Sequence, residues 1–303
     1  MQLTSTNSSI GLIYALKKIL QIYNDIITNI LINKKLVNIT SLMFQEIKHR
    51  IEESKVVLQP FPHIVIKNLF PLKKLKKLNE VLPNYKDVES TNVFFQSSSE
   101  TKKIILPESK IFKNLQNKKI FKETKNLFSK IKPVIIKKFK KEIDKNVNVK
   151  FINSKIKFNM NFALMRKGYL KSPHIDRRDH LISSIFYPKS EKNKGGNLQL
   201  WKLKKKNFFY DVFPSKKNIS LAKNFKINQN FCLIFLNVPW AYHSVNKYKG
   251  NSDRKYFYID YDFSLKNSSS LSKNRKKGAN LNYLWNMPVK VKSLSRKKIF
   301  LTE

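Results

Sequence analysis

The chain after Asn146 reads as a succession of short strands with no helix between them, and this feature constrains the fold most. The candidate strands are VKFIN, KIKFNMNFALM, LISSIFY, NLQLWKL, FCLIFLN, WAYHSV and RKYFYIDYDF. Several alternate between apolar and polar residues, as half-buried antiparallel strands do. Gly168, Gly195, Gly196 and Gly250 fall between these strands, where left-handed turns are needed. About seven short strands in a row favour a sandwich or jelly roll.

The sequence before Asn146 predicts mainly helices. Residues 9–33 and about 40–55 carry apolar side chains at helical spacing. PFPHIVIKNLF then reads as a strand, PLKKLKKLNEVLP as a short amphipathic helix, and residues 108–145 as helical, with Pro133 breaking or bending one segment. The two N-terminal helices either pack on the main domain, which is the simpler interpretation, or rest on a membrane surface as basic amphipathic helices.

The net charge of +41 is weak evidence for nucleic-acid binding. Only seven of the 61 basic residues are Arg, the side chain that best matches phosphates and guanine edges. The lysines are spread along the chain, and Lys, Asn, Ile and Phe are abundant together, as an AT-rich coding sequence would produce. We therefore expect no specific nucleic-acid partner, only a weak, salt-sensitive attraction to anionic surfaces, which leaves a peripheral membrane contact open.

Cysteine usage and hydropathy point to the cytoplasm. The single Cys232 excludes an intramolecular disulfide and a thiolate zinc cluster, and its apolar surroundings, FCLIFL, predict a buried thiol. No run approaches the roughly 18–20 apolar residues that span a bilayer. The N-terminus lacks the features of a secretory signal. We expect a cytoplasmic protein, and its oligomeric state stays open.

His174 and Asp176, in SPHIDRRDHL, have the spacing of a metal site. Residues i and i+2 of a strand share one face, so this pair can offer a nitrogen and an oxygen to one ion. His243, in PWAYHSV 67 residues after Asp176, is the best third ligand, since an antiparallel barrel can bring its strand opposite. Two His and one carboxylate form the facial triad of non-haem Fe(II) oxygenases, with three positions left open.

A bidentate 2-oxo acid and dioxygen would fill those open positions. The far carboxylate of 2-oxoglutarate then needs a buried cation on a neighbouring strand. Arg254 lies 11 residues after His243, and Gly250-Asn251 between them predicts the turn of a hairpin that carries both residues. The planar guanidinium suits a carboxylate because it can donate two hydrogen bonds to it.

From about Pro60 to Phe263 the sequence resembles the 2-oxoglutarate- and Fe(II)-dependent oxygenases, in the branch like prolyl 4-hydroxylases. PFPHIVIKNLFP resembles the opening of that domain, and HID, a strand ending in IFY, GGNLQLW, PWAYHSV and an arginine follow in the family's order. The resemblance implies that His174, Asp176 and His243 bind Fe(II).

The same resemblance implies that Arg254 binds 2-oxoglutarate and that Tyr187 hydrogen-bonds the same carboxylate. Met165, in MRKG, stands where the family often has a tyrosine, so one contact to cosubstrate or substrate is expected to differ. The family couples oxidative decarboxylation of 2-oxoglutarate by dioxygen to hydroxylation of a substrate C–H bond.

Other polar residues near these motifs have plainer interpretations. His180 is expected to be structural, at the start of the next strand, and His63 and His49 are given no role. Arg177 and Arg178 are either solvated loop charges or a gate for an anionic substrate. The insertion KLKKKNFFYDVF is either a surface loop or a lid.

The sequence thus predicts a β-rich α+β protein with a double-stranded β-helix (jelly-roll) core and flanking helices. The expected domains are an N-terminal helical extension (1–57), the dioxygenase domain (58–263, with its core at about 148–263) and a basic tail (264–303) whose apolar end, NLNYLWNMPV, docks back.

The substrate stays open between a peptidyl proline, an amino acid and a glycan. A non-catalytic jelly-roll binding module is the alternative from another class. A nucleic-acid demethylase is disfavoured, because Asp260 stands where that group has a second arginine.

Overall fold

The computed structural model describes residues 18–24, 42–88, 101–152, 154–177, 179–204, 212–264 and 284–286. The chain divides into two compact units, residues 1–46 and 47–303. In the first unit residues 18–24 are helical and expose Ile19, Leu20, Ile22 and Tyr23. The domain boundaries expected at 57/58 and 263/264 stay predictions. Within the described ranges, none of the helices combines the length and apolar character needed to cross a membrane.

Helices gather in the sequence before Asn146, as the apolar spacing predicts. After helical residues 42–53 they run Leu72–Val81, Lys110–Gln116, Lys119–Lys130, Lys132–Lys138 and Lys140–Asn146, with short 3₁₀ turns at Tyr85–Asp87, Val149–Phe151 and Lys216–Asn218. Pro133 lies in the first turn of Lys132–Lys138, where its missing N–H has no intrahelical partner to lose. It therefore separates two helices instead of bending one.

Ten strands follow in chain order. They are β1 (His63–Lys67), β2 (Lys102–Ile105), β3 (Ile156–Met165), β4 (Lys171–His174), β5 (His180–Lys189), β6 (Leu198–Leu203), β7 (Ile219–Phe225), β8 (Phe231–Leu236), β9 (His243–Val245) and β10 (Arg254–Phe263). They form a six-stranded sheet in the order β1-β8-β5-β10-β3-β2 and a four-stranded sheet in the order β4-β9-β6-β7, and all their pairings are antiparallel.

Strands β3 to β10 distribute over the two sheets as in a double-stranded β-helix. Strands β3, β5, β8 and β10 belong to the larger sheet, and β4, β6, β7 and β9 to the smaller one. The predicted fold class, a β-rich jelly-roll core with flanking helices, is confirmed by this topology. β1 and β2 extend the larger sheet at its two edges.

The two faces of the larger sheet have different tasks. On β10, Phe257 lies 5.8 Å from Phe121 of a flanking helix between ring centroids, and the Tyr261 hydroxyl donates to the Phe128 carbonyl at 2.9 Å. The intervening residues, Tyr258 and Asp260 among them, line an internal cavity. Period-two alternation thus directs the apolar side chains to the helices and the polar ones to the interior.

One predicted strand is wrong and three short ones escaped the pattern. The VKFIN segment begins as the 3₁₀ turn Val149–Phe151, because the Asn148 side chain accepts a hydrogen bond from the Lys150 N–H and starts a turn. β2 and β4 have only four residues each, and β7 is largely exposed, so none shows a clear apolar alternation.

Residues 284–286 confirm part of the expectation for the tail. Leu284 and Trp285 are buried, the Asn148 N–H donates to the Leu284 carbonyl at 3.0 Å, and Trp285 packs edge-on against Phe263. The apolar end of the tail therefore docks on the main unit. The rest of 265–303 lies outside the described residues.

Candidate metal centre and cosubstrate cavity

His174 and His243 face each other across neighbouring strands of the smaller sheet. β4 and β9 pair antiparallel with these two residues in direct register, and their ring centroids are 4.4 Å apart. The prediction that a distant strand brings His243 opposite the His174/Asp176 pair is therefore met in the structure.

Asp176 reaches the two histidines from just beyond β4. The strand ends at His174 after a register irregularity, and Pro173 supplies no N–H to the ladder. The expected placement of both ligands on one strand was thus wrong in detail. The backbone is held instead at Ile175, whose N–H donates to the Val212 carbonyl at 3.0 Å and whose side chain packs with Ile219 and Tyr242.

The three side chains converge on one point. His174 Nε2 lies 3.6 Å from Asp176 Oδ1, and His243 Nε2 lies 3.5 Å from Asp176 Oδ2. One ligand atom from each residue lies within 4.8 Å of the others. A single ion could therefore contact all three.

Both imidazoles are oriented by hydrogen bonds on the side away from that point. His174 Nδ1 donates to the Ser172 carbonyl at 2.8 Å, and His243 Nδ1 donates to the Ala241 carbonyl at 3.0 Å. A carbonyl only accepts, so each Nδ1 carries the proton and each Nε2 presents a lone pair. This is the second hydrogen bond by which proteins fix metal-ligating histidines.

The charge states also suit a cation. Burial, reinforced by His243, lowers the pKa of His174 to about 3, so its imidazole is neutral. Burial alone would raise the pKa of Asp176, but the neighbouring His243 and His174 outweigh it and lower that pKa. Asp176 Oδ2 is buried without a hydrogen-bond partner among the described residues. An unsatisfied carboxylate oxygen between two imidazole lone pairs fits a divalent metal ion.

These residues lie on the wall of a cavity of about 650 Å³. That volume is typical of pockets that enclose small ligands. One end is acidic and amide-rich, and the other carries lysines and tyrosines. The acidic end is lined by Glu108, Asn159, Asn161, Arg177, His180, Asp260 and Asp262, and the other by Lys102, Tyr169, Lys171, Tyr187 and Tyr256.

Tyr187 lies at the lysine and tyrosine end. Its ring stacks on Tyr256 at 5.6 Å between centroids, and burial raises its pKa to about 12, so the hydroxyl keeps its proton and can donate. Met165 lines the same cavity at the position where the family often has a tyrosine.

Arg254 is fully buried beside Tyr187 but is engaged elsewhere. Its Nη1 donates to the Gly196 carbonyl and its Nη2 to the Gly195 carbonyl at 2.8 Å, and the guanidinium lies 4.4 Å from the Tyr248 ring centroid. It is not among the described side chains that line the cavity.

The approach of Arg254 explains the glycine pair. Gly195 and Gly196 both have positive φ, and a Cβ on Gly196 would meet the guanidinium.

The hairpin expected to carry His243 and Arg254 is wrong. β9 belongs to the smaller sheet and β10 to the larger one, so residues 246–253 cross between sheets. Gly250 supplied the turn signal, but its φ is not positive, and its Cα lies close to the Tyr248 ring. Glycine serves close approach here, which sequence alone does not separate from a hairpin turn.

A second buried cluster, His180 with Asp260 and Asp262, lies at the acidic end. His180 Nδ1 lies 2.5 Å from Asp262 Oδ1, Ser183 Oγ donates to Asp260 Oδ1 at 2.7 Å, and Asn159 Nδ2 donates to Asp262 Oδ2. Against the opposing effect of burial, the two aspartates raise the pKa of His180 to about 9. Sequence reasoning missed this cluster, although the alternation Tyr258, Asp260, Asp262 on one strand was a usable signal.

The remaining candidates have simpler surroundings. Arg177 pairs with Asp179 through its guanidinium while lining the cavity, so its role as a gate stays a prediction. His180 begins β5, as expected. Arg178 and residues 205–211 of the proposed lid lie outside the described residues.

The structure is similar to those of prolyl 4-hydroxylases. A Pseudomonas putida prolyl 4-hydroxylase shares 12% identity at a TM-score of 0.41, over 72% of this chain and 98% of that one. A Trichoplax adhaerens prolyl hydroxylase, solved in complex with a hypoxia-inducible-factor peptide fragment, shares 13% identity at 0.38, over 81% and 96%.

HygX from Streptomyces hygroscopicus, solved with nickel and 2-oxoglutarate bound, shares 8% identity at a TM-score of 0.40, over 67% of this chain and 83% of that one. A scan against protein-family models and a comparison with curated protein sequences gave no match. At these identities the likeness concerns the fold, which the strand order above defines independently.

Proposed function

We propose that this protein is an Fe(II)- and 2-oxoglutarate-dependent dioxygenase that hydroxylates a C–H bond. The observation that carries the proposal is the convergence of His174, Asp176 and His243 in one cavity, with both Nε2 lone pairs and the buried Oδ2 lacking partners among the described residues. Iron and 2-oxoglutarate, when bound, would supply the activation of dioxygen.

The chain's own contribution is to hold ligand geometry and protonation. The Ser172 and Ala241 carbonyls keep the two Nε2 atoms directed inward, and burial keeps His174 neutral. The Tyr258 hydroxyl hydrogen-bonds Asp176, which limits rotation of the carboxylate. Preorganisation of this kind removes the cost of rearranging ligands when a metal binds.

Arg254 and Tyr187 stay predictions for the far carboxylate of 2-oxoglutarate. Tyr187 lines the cavity and could donate its hydroxyl directly. Arg254 could reach a ligand only by giving up a hydrogen bond to a glycine carbonyl.

The proposed substrate is a peptidyl proline, an amino acid or a glycan, and the acidic end of the cavity is the space beside the metal centre left for it. The peptide complex of the Trichoplax enzyme supports including peptides.

Anaerobic titration with Fe(II) and then 2-oxoglutarate tests the proposal. We expect one Fe(II) per chain and a visible charge-transfer band on adding 2-oxoglutarate. In air, succinate release is then screened across peptide, amino-acid and glycan pools. Wild-type protein that binds no Fe(II) would instead indicate a non-catalytic jelly-roll module.

A further inference from the structure

One end of the cavity holds ammonium groups with no carboxylate beside them. Lys102 comes from β2, where Lys102 and Ile104 line the cavity. Lys103 between them turns away and donates to the Tyr85 carbonyl at 2.9 Å. Strand alternation therefore directs Lys102, and not its neighbour, inward. Lys171 of β4 lines the same end.

These two lysines lack the partner that a buried ammonium group normally has. Among the described residues no carboxylate forms an ion pair with either. Burial, with the charge of Lys102, lowers the pKa of Lys171, so an anion between the two would relieve unfavourable charge. The cavity is thus prepared for a negatively charged ligand at this end.

Hydroxyl donors surround Lys102. Its Nζ lies 5.6 Å from the ring centroid of Tyr169 and 5.7 Å from that of Tyr256. The Tyr169 hydroxyl is hydrogen-bonded to Lys102 and to Tyr256, and Tyr187 stacks on Tyr256. One ammonium group with neighbouring phenol hydroxyls is a donor set that matches a carboxylate.

Arg254, by contrast, has already used its terminal nitrogens. Both donate to the carbonyls of the Gly195–Gly196 turn, and its Cζ lies 5.7 Å from the Tyr187 ring centroid. Releasing the guanidinium would leave those carbonyls without their donor. The arginine is therefore built into the wall next to Tyr187.

We propose that Lys102, together with the hydroxyl of Tyr169, binds the far carboxylate of the 2-oxo dicarboxylate held at the metal centre. Arg254 then acts as a positioning residue that holds the glycine turn and Tyr187 without contacting the cosubstrate. The proposal rests on the proposed function and names the cation of that same site.

Anaerobic binding to the Fe(II) protein tests this, with charge-transfer absorbance as the readout. Two ligands are titrated: 2-oxoglutarate, and 2-oxobutyrate, which lacks the far carboxylate. Lys102→Met is expected to weaken 2-oxoglutarate binding at least about tenfold, as for a lost hydrogen bond between charged groups, and 2-oxobutyrate binding less than about twofold. Lys102→Arg keeps a cation and should retain the preference for 2-oxoglutarate within about threefold.

Two further variants decide between the lysine and the arginine. Lys157→Met removes the same charge from an exposed position of β3 and should leave both affinities unchanged. Arg254→Lys should leave the preference for 2-oxoglutarate intact. The proposal is overturned if Lys102→Met keeps the wild-type preference, or if Arg254→Lys loses it while Lys102→Arg does not.

The failure of the proposed function looks different. Wild-type protein that binds Fe(II) but neither 2-oxo acid would overturn the dioxygenase proposal and this one together. A wild-type preference for 2-oxoglutarate with an indifferent Lys102 would overturn this one alone.

Discussion

The two His/Asp clusters in this cavity have nearly the same composition but differ in what their polar atoms bond. At His174, Asp176 and His243 the outer nitrogens are bound to carbonyls, and the inward atoms have no partner among the described residues. At His180, Asp260 and Asp262 the polar atoms bond one another and Ser183 and Asn159. Composition and proximity qualify both clusters for a metal, whereas hydrogen-bond accounting selects the first.

Removing a ligand is expected to have the largest effect. His243→Ala should weaken Fe(II) binding by more than about 100-fold and His174→Ala should abolish turnover, because each removes one of three metal donors. Binding is measured by anaerobic titration, and turnover by succinate release.

His180→Gln is the matched control from the other cluster and should still bind one Fe(II) per chain. Loss of binding in His180→Gln, with retention in His243→Ala, would move the metal centre to the second cluster. Full coupled activity in His174→Ala would contradict the ligand assignment.

Stability should show the opposite ranking. Asp262→Ala breaks a buried, hydrogen-bonded pair with a protonated His180 and should cost about 3–5 kcal/mol of the free energy of unfolding. Asp176→Ala in metal-free protein should cost less than about 1 kcal/mol, since it removes a carboxylate oxygen that lacks a partner. Urea unfolding in the presence of a chelator measures both. Equal losses would erase the distinction between the clusters.

Tyr258 joins the two clusters and should have an intermediate effect. Its hydroxyl hydrogen-bonds both Asp176 and Ser183. Tyr258→Phe should weaken Fe(II) binding roughly tenfold, the usual cost of removing a group that orients a metal ligand. Tyr261→Phe, which loses only a bond to the Phe128 carbonyl, is the control and should leave Fe(II) affinity unchanged.

The smallest expected effect is a pH dependence of stability that comes from His180. Its folded pKa of about 9 lies above the ordinary value of 6.5, so its contribution is complete below about pH 6.5 and is lost as the pH rises through 9. Histidine NMR resonances should show a ring that loses its proton near pH 9. If every ring titrates near 6.5, the buried ion network is not formed.

Most of the larger sheet and its helices could be predicted from sequence. β10 was predicted residue for residue because its apolar positions alternate over ten residues, and Leu72–Val81 because Leu75 and Leu78 repeat at helical spacing. β2 and β4 were missed because four-residue strands carry too few alternations. The second of them holds a metal-ligand candidate all the same.

The sequence by itself determined which side chains were available: a His-x-Asp pair, a distant histidine and a glycine pair in a strand-rich chain. Only the tertiary structure decided which atoms remain free to bind a ligand. His174 and His180 lie six residues apart, yet one presents an unpaired nitrogen and the other is engaged with Asp262. Likewise Arg254 is held by carbonyls while Lys102 enters the cavity. Hydrogen-bond partners come from residues distant in the chain, and their positions exist only once the sheets have formed.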